Sequence, residues 1–264
     1  MNNEEPPAAF VEAMDQICEK ARAQGCRIWV DSEQHVVQSS IDRWAIPFMR
    51  KYNVGGTALV YNTLQAYLKH SRSKLQAQLT AAQEEGWTLA IKLVRGAYID
   101  SDPREIIHDT KDDTDKSYNG IVHDLLSGTN LGFSPETMPK VQLFLAGHNP
   151  ASVGGAIDLM QSLSAAGKLK IKPEFGQLQG MADELGCSIL QRADGLRAKE
   201  AEVGRVAVPL VYKCLTWGSV RECMQYLLRR AVENSGGTAR MKDGYAAYLG
   251  ELKRRMGSVV RLRT

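Results

Sequence analysis

The sequence predicts an α/β fold of the (β/α)8 barrel type, and three observations carry the prediction. Six short runs, at 27–31, 57–61, 89–95, 141–146, 171–175 and 206–213, are rich in Val, Ile and Leu and nearly continuous in apolar character. Strands buried on both faces, as in a parallel sheet under helices, look like this. The intervals between the runs are mostly ~30–40 residues, room for one crossover helix each. Polar residues recur at the ends of the runs: Asp31 and Glu33, Asn62, Arg95, His148 and Asn149, Gln177. A barrel keeps its reactive groups at those strand ends. An open dinucleotide-binding sheet would call for G-x-G-x-x-G after the first strand, and none stands there. Six strands do not by themselves close an eight-stranded sheet.

The helices fill the intervals in order. Residues 8–24 place Phe10, Met14, Ile17 and Ala21 at helical spacing. Helices are expected next at 41–52 and 63–85. The interval from Arg95 to Val141 is longer and opens with the polar stretch IDSDPREIIHDTKDD. It reads as an extended strand-to-helix loop, a place where function concentrates, followed by a helix over 113–126. Residues 150–166 put Val153, Ile157, Met160 and Leu163 on one side. Helices over 217–234 and 238–255 close the chain, which reads as one domain over 1–264 with a C-terminal helix and basic tail from about 238.

Composition excludes several classes. Hydrophobic residues make up 44% of the 264 positions and charged residues 24%, as in ordinary globular proteins. The net charge is +3, too small to imply nucleic acid, and no Lys/Arg stripe is interleaved with aromatics. Arg254, Arg255, Arg261 and Arg263 read as a solvated tail. The five cysteines, Cys18, Cys26, Cys187, Cys214 and Cys223, are odd in number and contain no C-x-x-C. A zinc site or secreted disulfide framework is therefore not expected, and a reducing compartment is the default. No apolar run approaches the ~18 residues of a membrane span. The opening MNNEEPPAA resembles neither a signal peptide nor an Arg-rich transit peptide.

Three stretches could carry chemistry. In IKLVRGAY (91–98), basic Lys92 precedes a strand end at Arg95, Gly96 and Ala97. Small residues there would let a flat ligand approach the backbone, and Tyr98 offers a ring. The same stretch reads equally as a tight strand-to-loop turn. In GSVRECMQYLLRRAVEN (218–234), Val220, Cys223, Met224, Leu227 and Ala231 form an apolar stripe. Tyr226, Arg229, Arg230, Glu222 and Glu233 share an adjoining arc. Two guanidiniums beside an apolar face suit bidentate capture of a carboxylate, although arginines also favour a helix C-terminus for electrostatic reasons alone. In GHNP (147–150), His148 could be a base or a donor to a cofactor, or a satisfied core histidine. No Cys or carboxylate stands at metal-ligand spacing from it. Asp31 with Glu33 could be acid/base carboxylates, or one could orient a basic neighbour. Asp112, Asp113 and Asp115 read as a solvated first helical turn.

The motifs WVDSEQ (29–34), VYNTLQAYLK (60–69), IKLVRGAY (91–98), DTDKSYN (113–119), GHN (147–149), PEFGQLQGM (173–181) and YLLRRAVEN (226–234), in this order, resemble the proline dehydrogenase family, its fungal mitochondrial branch above all. The resemblance covers about residues 8–245. It implies a (β/α)8 barrel of which this chain carries strands three to eight. The first two strands, one bearing an active-site lysine, are not matched, which would expose two sheet edges. It further implies FAD across the C-terminal strand ends, oxidation of L-proline to 1-pyrroline-5-carboxylate by hydride transfer to flavin N5, a membrane quinone as electron acceptor, and a mitochondrial location. Carried residue by residue, Lys92 matches a basic residue near the flavin and Asp31 a carboxylate at the pocket. Asn62, Arg95, Gly96, Ala97, Lys111, Thr114, His148, Asn149 and Glu233 match cofactor contacts. Arg229 and Arg230 match the clamp on the substrate carboxylate, and Tyr226, Tyr98 and Leu178 match the pocket walls. Cys214 stands where the family usually has Tyr, which opens a 4-hydroxyproline dehydrogenase as one alternative. A non-catalytic, shortened paralogue is another. A phosphate-binding aldolase barrel is disfavoured, since no Schiff-base lysine sits in an apolar strand centre and no Gly-rich phosphate loop follows the last strands.

Overall fold

A computed structural model describes residues 5–134, 137–203 and 206–233, with positions 249–250, 252–254 and 256. Six strands form one sheet: β1 (Ile28–Val30), β2 (Val60–Gln65), β3 (Leu89–Val94), β4 (Val141–Ala146), β5 (Glu174–Leu178) and β6 (Leu210–Cys214). Their spatial order is their chain order, and every pairing is parallel. The helices are α1 (Ala8–Ala23), α2 (His35–Tyr52), α3 (Ser71–Glu85), α4 (Lys111–Ser127), α5 (Pro150–Ala165), α6 (Asp183–Val203) and α7 (Val220–Glu233), with a 3-10 turn at Arg104–Ile106.

The sheet is curled into a partial barrel. On a flat sheet β1 and β5 would stand ~19 Å apart, four strand spacings. Yet Arg27, just before β1, reaches Glu174 on β5 at 2.6 Å and lies 5.5 Å from the Tyr212 ring on β6. Trp29 on β1 stands 5.2 Å from Phe144 on β4. The concave face is therefore filled by Arg27, Trp29, Tyr61, Ala90 and Phe144. The main core lies on the other face, where Leu64, Leu89, Ile91, Leu93, Leu143 and Phe175 meet Leu79, Ile121, Leu125, Ile157 and Met160 from the helices. The barrel-type expectation holds in this open form, with β1 and β6 at the two edges.

Several elements differ from their sequence reading. β2 runs to Gln65 rather than ending at Tyr61, so the helix expected from residue 63 begins at Ser71. β5 begins three residues later than expected and β6 four. α2 starts earlier, at His35, and runs through Pro47. α6 was not anticipated. Its residues include Gly186 and Gly195, although Leu185, Ile189 and Ala193 form a buried stripe at helical spacing. In α1 the inner face is Cys18 and Ala21 with Val11 and Met14, while Phe10 and Ile17 are exposed. The inner face thus keeps Met14 and Ala21 of the expected stripe and is turned about 50° from it. In α5, Val153, Ile157 and Met160 are buried as the spacing predicts. Of the helix expected over 238–255, positions 249–250 and 252–254 are described and are helical. Arg255, Arg261 and Arg263 lie outside the described residues.

Candidate active site

The C-terminal ends of β1 to β5 gather most of the anticipated residues into two adjoining groups. The first spans β1 and β3. Lys92 Nζ donates to Asp31 Oδ1 at 2.5 Å. The ammonium is mostly buried and the carboxylate mostly exposed. Such a half-exposed pair contributes at most ~1 kcal/mol of stability, so its structural effect is orientation. Register fixes the direction of Lys92: Ala90, two residues earlier, lies on the concave face, so Lys92 points there too. Beside this pair the Tyr98 hydroxyl donates to Glu33 at 2.8 Å and to the Ser32 carbonyl at 3.4 Å.

The second group is built around Arg95. Its Nε donates to Asp115 in the first turns of α4 at 2.9 Å, and its Nη2 donates to Ser152 in the first turn of α5 at 2.5 Å. The guanidinium also lies 4.4 Å from the buried Tyr118 ring. Lys111 bonds the same Asp115 at 2.5 Å. Asp115, expected as a solvated residue, is instead the acceptor shared by two cations. Partial burial raises its carboxyl, but the bonds from Lys111 and Arg95 outweigh that and hold it below the ordinary value. Each helix start here is locally specified. Thr110 caps α4 by accepting from Asp113 N, and Asn149 caps α5 by accepting from Ser152 N, with Pro150 at the first helical position. Thr114 lies half-buried in the first turns of α4, its hydroxyl toward the Thr110 carbonyl.

Gly96 joins the two groups. Its φ is +143°, and a Cβ there would stand 2.3 Å from the Tyr67 ring. Only glycine tolerates both constraints. Gly96 and Ala97 are exposed. On the far side, His148 Nε2 accepts from Leu178 N at 3.0 Å, which places the proton of the neutral ring on Nδ1. Leu178 pairs in register with Cys214, whose carbonyl accepts from Gln179 N.

Other anticipated residues stand elsewhere. Asn62 lies inside β2, not at a strand end, and its amide donates to Asp42 of α2. Register pairs Thr63 with Lys92, so Asn62 faces the helices. The strand end itself carries Gln65, a buried amide 3.5 Å from the Glu33 carbonyl that the early strand boundary concealed. Gln177 is buried, and its amide lies beside Gly186 and Lys213 on the helix side. α7 packs extensively on no other element among the described residues. Its expected apolar stripe is open to solvent at Val220, Met224 and Leu227. The cause is positional: α7 follows β6, an edge strand of the described sheet, and among the described residues no further strand-helix unit covers that face. Arg230 lies 5.3 Å from the Tyr226 ring, and Arg229 is exposed. The Glu233 side chain lies outside the described residues.

Residues 3–243 match the family described as proline dehydrogenase. The chain belongs to the proline dehydrogenase family. It is 31% identical over 258 residues to the probable mitochondrial proline dehydrogenase of Schizosaccharomyces pombe, covering 94% of this chain and 50% of that protein. It is 29% identical over 257 residues to bovine hydroxyproline dehydrogenase, covering 94% of this chain and 51% of that one. The chain thus spans about half the length of these curated relatives. Among solved structures, proline utilization A from Bdellovibrio bacteriovorus superposes with a TM-score of 0.64 at 20% identity, covering 83% of this chain and 21% of that chain. This last likeness supports the curled α/β architecture.

The residues present suit a flavin dinucleotide by their donor chemistry. Arg95 and Lys111 meet at the first turns of α4 and α5, and a third cation, Lys92, lies three residues before Arg95 on β3. Cations and helix N-termini are what a diphosphate requires.

Proposed function

We propose that this chain is the flavin-binding part of an enzyme that oxidises L-proline to 1-pyrroline-5-carboxylate. The observation that carries the reading is Arg95 bridging the first turns of α4 and α5 beside the Lys92–Asp31 pair. Lys111, Thr114 and Asn149 would hold the phosphate side of FAD, and Lys92, Arg95, Gly96, Ala97 and His148 its ring side. Bound there, FAD supplies a two-electron acceptor. The protein contributes position and electrostatics. Asp31 aims the Lys92 ammonium into the concavity, and His148 fixes the backbone of Leu178 as a pocket wall. Arg229 and Arg230 capture the substrate carboxylate, removing entropy from the barrier. Proline loses two electrons and two protons and gains a C=N bond. We place the enzyme in the mitochondrion, as the fission-yeast relative is named, with a membrane quinone as the final acceptor. Among the described residues no helix is long and apolar enough to cross a membrane.

The test is to purify the chain with added FAD and titrate it anaerobically with proline. A yellow protein at near-stoichiometric flavin, bleached by proline, is expected. A colourless protein indifferent to proline would overturn the reading in favour of a non-catalytic paralogue.

One observation favours a second substrate. Cys214 is small and exposed at the end of β6, in register with Leu178. Where a Tyr would fill space, Cys leaves room for a ring hydroxyl and is a weak donor. The kcat/KM ratio of proline to 4-hydroxyproline is expected to rise in Cys214→Tyr. An unchanged ratio would show that this position does not set substrate choice.

A further inference from the structure

The strap from Gly96 to Asp102, which leaves the end of β3, is tied down by a residue of the polar stretch after β3 to which no role has been given so far. Asp102 is 7% exposed. Its Oδ1 accepts from the backbone N–H of His35 at 2.9 Å, and its Oδ2 accepts from the Tyr67 hydroxyl at 2.7 Å. His35 is the first residue of α2, and the N-cap residue of that helix, Gln34, makes no capping bond with its side chain. Asp102 therefore supplies from another loop the acceptor that α2 lacks, with a negative charge at the positive end of the helix. Tyr67 comes from the loop after β2. Burial and the bond to Asp102 push its hydroxyl above the ordinary phenol range, so it stays a donor.

One carboxylate thus joins three strand-to-helix loops. The strap is also hydrogen-bonded internally, Asp102 N to the Tyr98 carbonyl at 2.8 Å, and Tyr67 N donates to the Arg95 carbonyl at 2.7 Å. Fixing Asp102 consequently fixes Tyr98 against Glu33, and the Arg95-Gly96-Ala97 turn against the Tyr67 ring. The loop after β1 that receives Asp102 is the one that carries Asp31.

We infer that Asp102 is a positioning residue of the candidate site, holding the strap across the β1–α2 loop so that Tyr98 and the Gly96 turn keep their places beside Lys92. The inference deepens the proline-oxidation reading and rests on it for what the site binds, but the clamp itself is testable without any ligand.

The test is hydrogen–deuterium exchange on the full chain. Asp102→Ala is expected to speed exchange roughly tenfold or more at 96–102 and at the start of α2, leaving β4 and β5 unchanged. Asp102→Asn should stay near wild type, since its amide oxygen still accepts from His35 and its NH2 can donate to the Tyr67 oxygen. Unchanged exchange in Asp102→Ala, or equal acceleration of every segment, would overturn the clamp. If Asp102→Ala does not fold, Tyr67→Phe replaces it. Faster exchange confined to the strap then supports the clamp, and no change there overturns it. In a chain that oxidises proline, Asp102→Ala should raise KM by roughly tenfold, with a smaller change in kcat. A loosened strap with unchanged KM would overturn the link to the site. A wild-type chain that never oxidises proline would overturn the proposed function alone, leaving the exchange result to judge Asp102.

Discussion

Helices α4 and α7 both follow a strand, and both carry residues expected to bind ligand, yet their surroundings are opposite. α4 buries Tyr118, Ile121, Val122, Leu125 and Leu126 and packs beside α5. Its first turns are joined to β3 and α5 through Arg95. α7 has the more sharply divided faces of the two, but it leaves Met224, Leu227 and Leu228 half exposed and Val220 more so. An amphipathic pattern records what a helix could bury. Whether it does so depends on a facing surface, and α7 sits beyond the edge strand β6, where the described sheet offers none. The proposed cofactor side of the candidate site is therefore assembled and cross-linked, while the proposed carboxylate clamp stands on a helix that, among the described residues, has little tertiary support.

Core truncation gives the largest expected effect. Ile121→Ala should cost about 2–5 kcal/mol in urea unfolding, whereas Leu227→Ala should stay within about 0.5 kcal/mol of wild type. Equal losses would mean that α7 is docked in solution, and the comparison would break. The clamp comes next. In a chain that binds proline, Arg229→Met or Arg230→Met should weaken binding by about 2–4 kcal/mol, since the carboxylate loses a charged partner, with little change in the urea midpoint. Full proline affinity in both variants would remove the carboxylate role from α7. The smallest effect concerns acid. Asp115 is held below its ordinary value of 3.8, so its stabilising contribution is complete above that pH and is lost as the pH falls through its folded value. Between pH 5 and 2.5 the wild type should lose up to about 1 kcal/mol more than Asp115→Asn. Parallel acid curves would show that the Arg95–Asp115–Lys111 contact adds nothing to stability.

What the sequence disclosed follows physical lines. All six strands were legible because burial on both faces forces apolar runs. The boundaries slipped where buried strands carry polar residues. Asn62 looked like a strand end and residues 63–65 like the start of a helix, yet Asn62 is satisfied by Asp42 and Thr63 by the Val30 carbonyl. α6 escaped because its glycines dilute the pattern. One of them, Gly186, stands beside the Lys213 side chain, whose Cε lies 2.9 Å from where a Cβ would be. Within the candidate site, Arg95 and His148 were legible as polar residues at strand ends and Lys92 as a basic residue inside a strand. Asp115 was misread as solvated, since nothing in one dimension announces that two cations converge on it. Asp102 left no pattern, being a single carboxylate in a polar loop whose partners lie 35 and 67 residues away.

The strict agreement between strand order and chain order has a consequence for how the molecule comes into being. Each strand pairs only with those made just before and just after it, so the sheet can grow one unit at a time as the polypeptide leaves the ribosome. The contact between Arg27 and Glu174 is different, because it joins residues 147 apart. Bringing two such distant points together costs about 4 kcal/mol from loop length alone. That cost falls if the intervening strands are already stacked in sequence and twisting in one sense. The curl is then a late event in biogenesis, reached by accumulation, with Arg27 meeting its carboxylate only after most of the sheet has been synthesised.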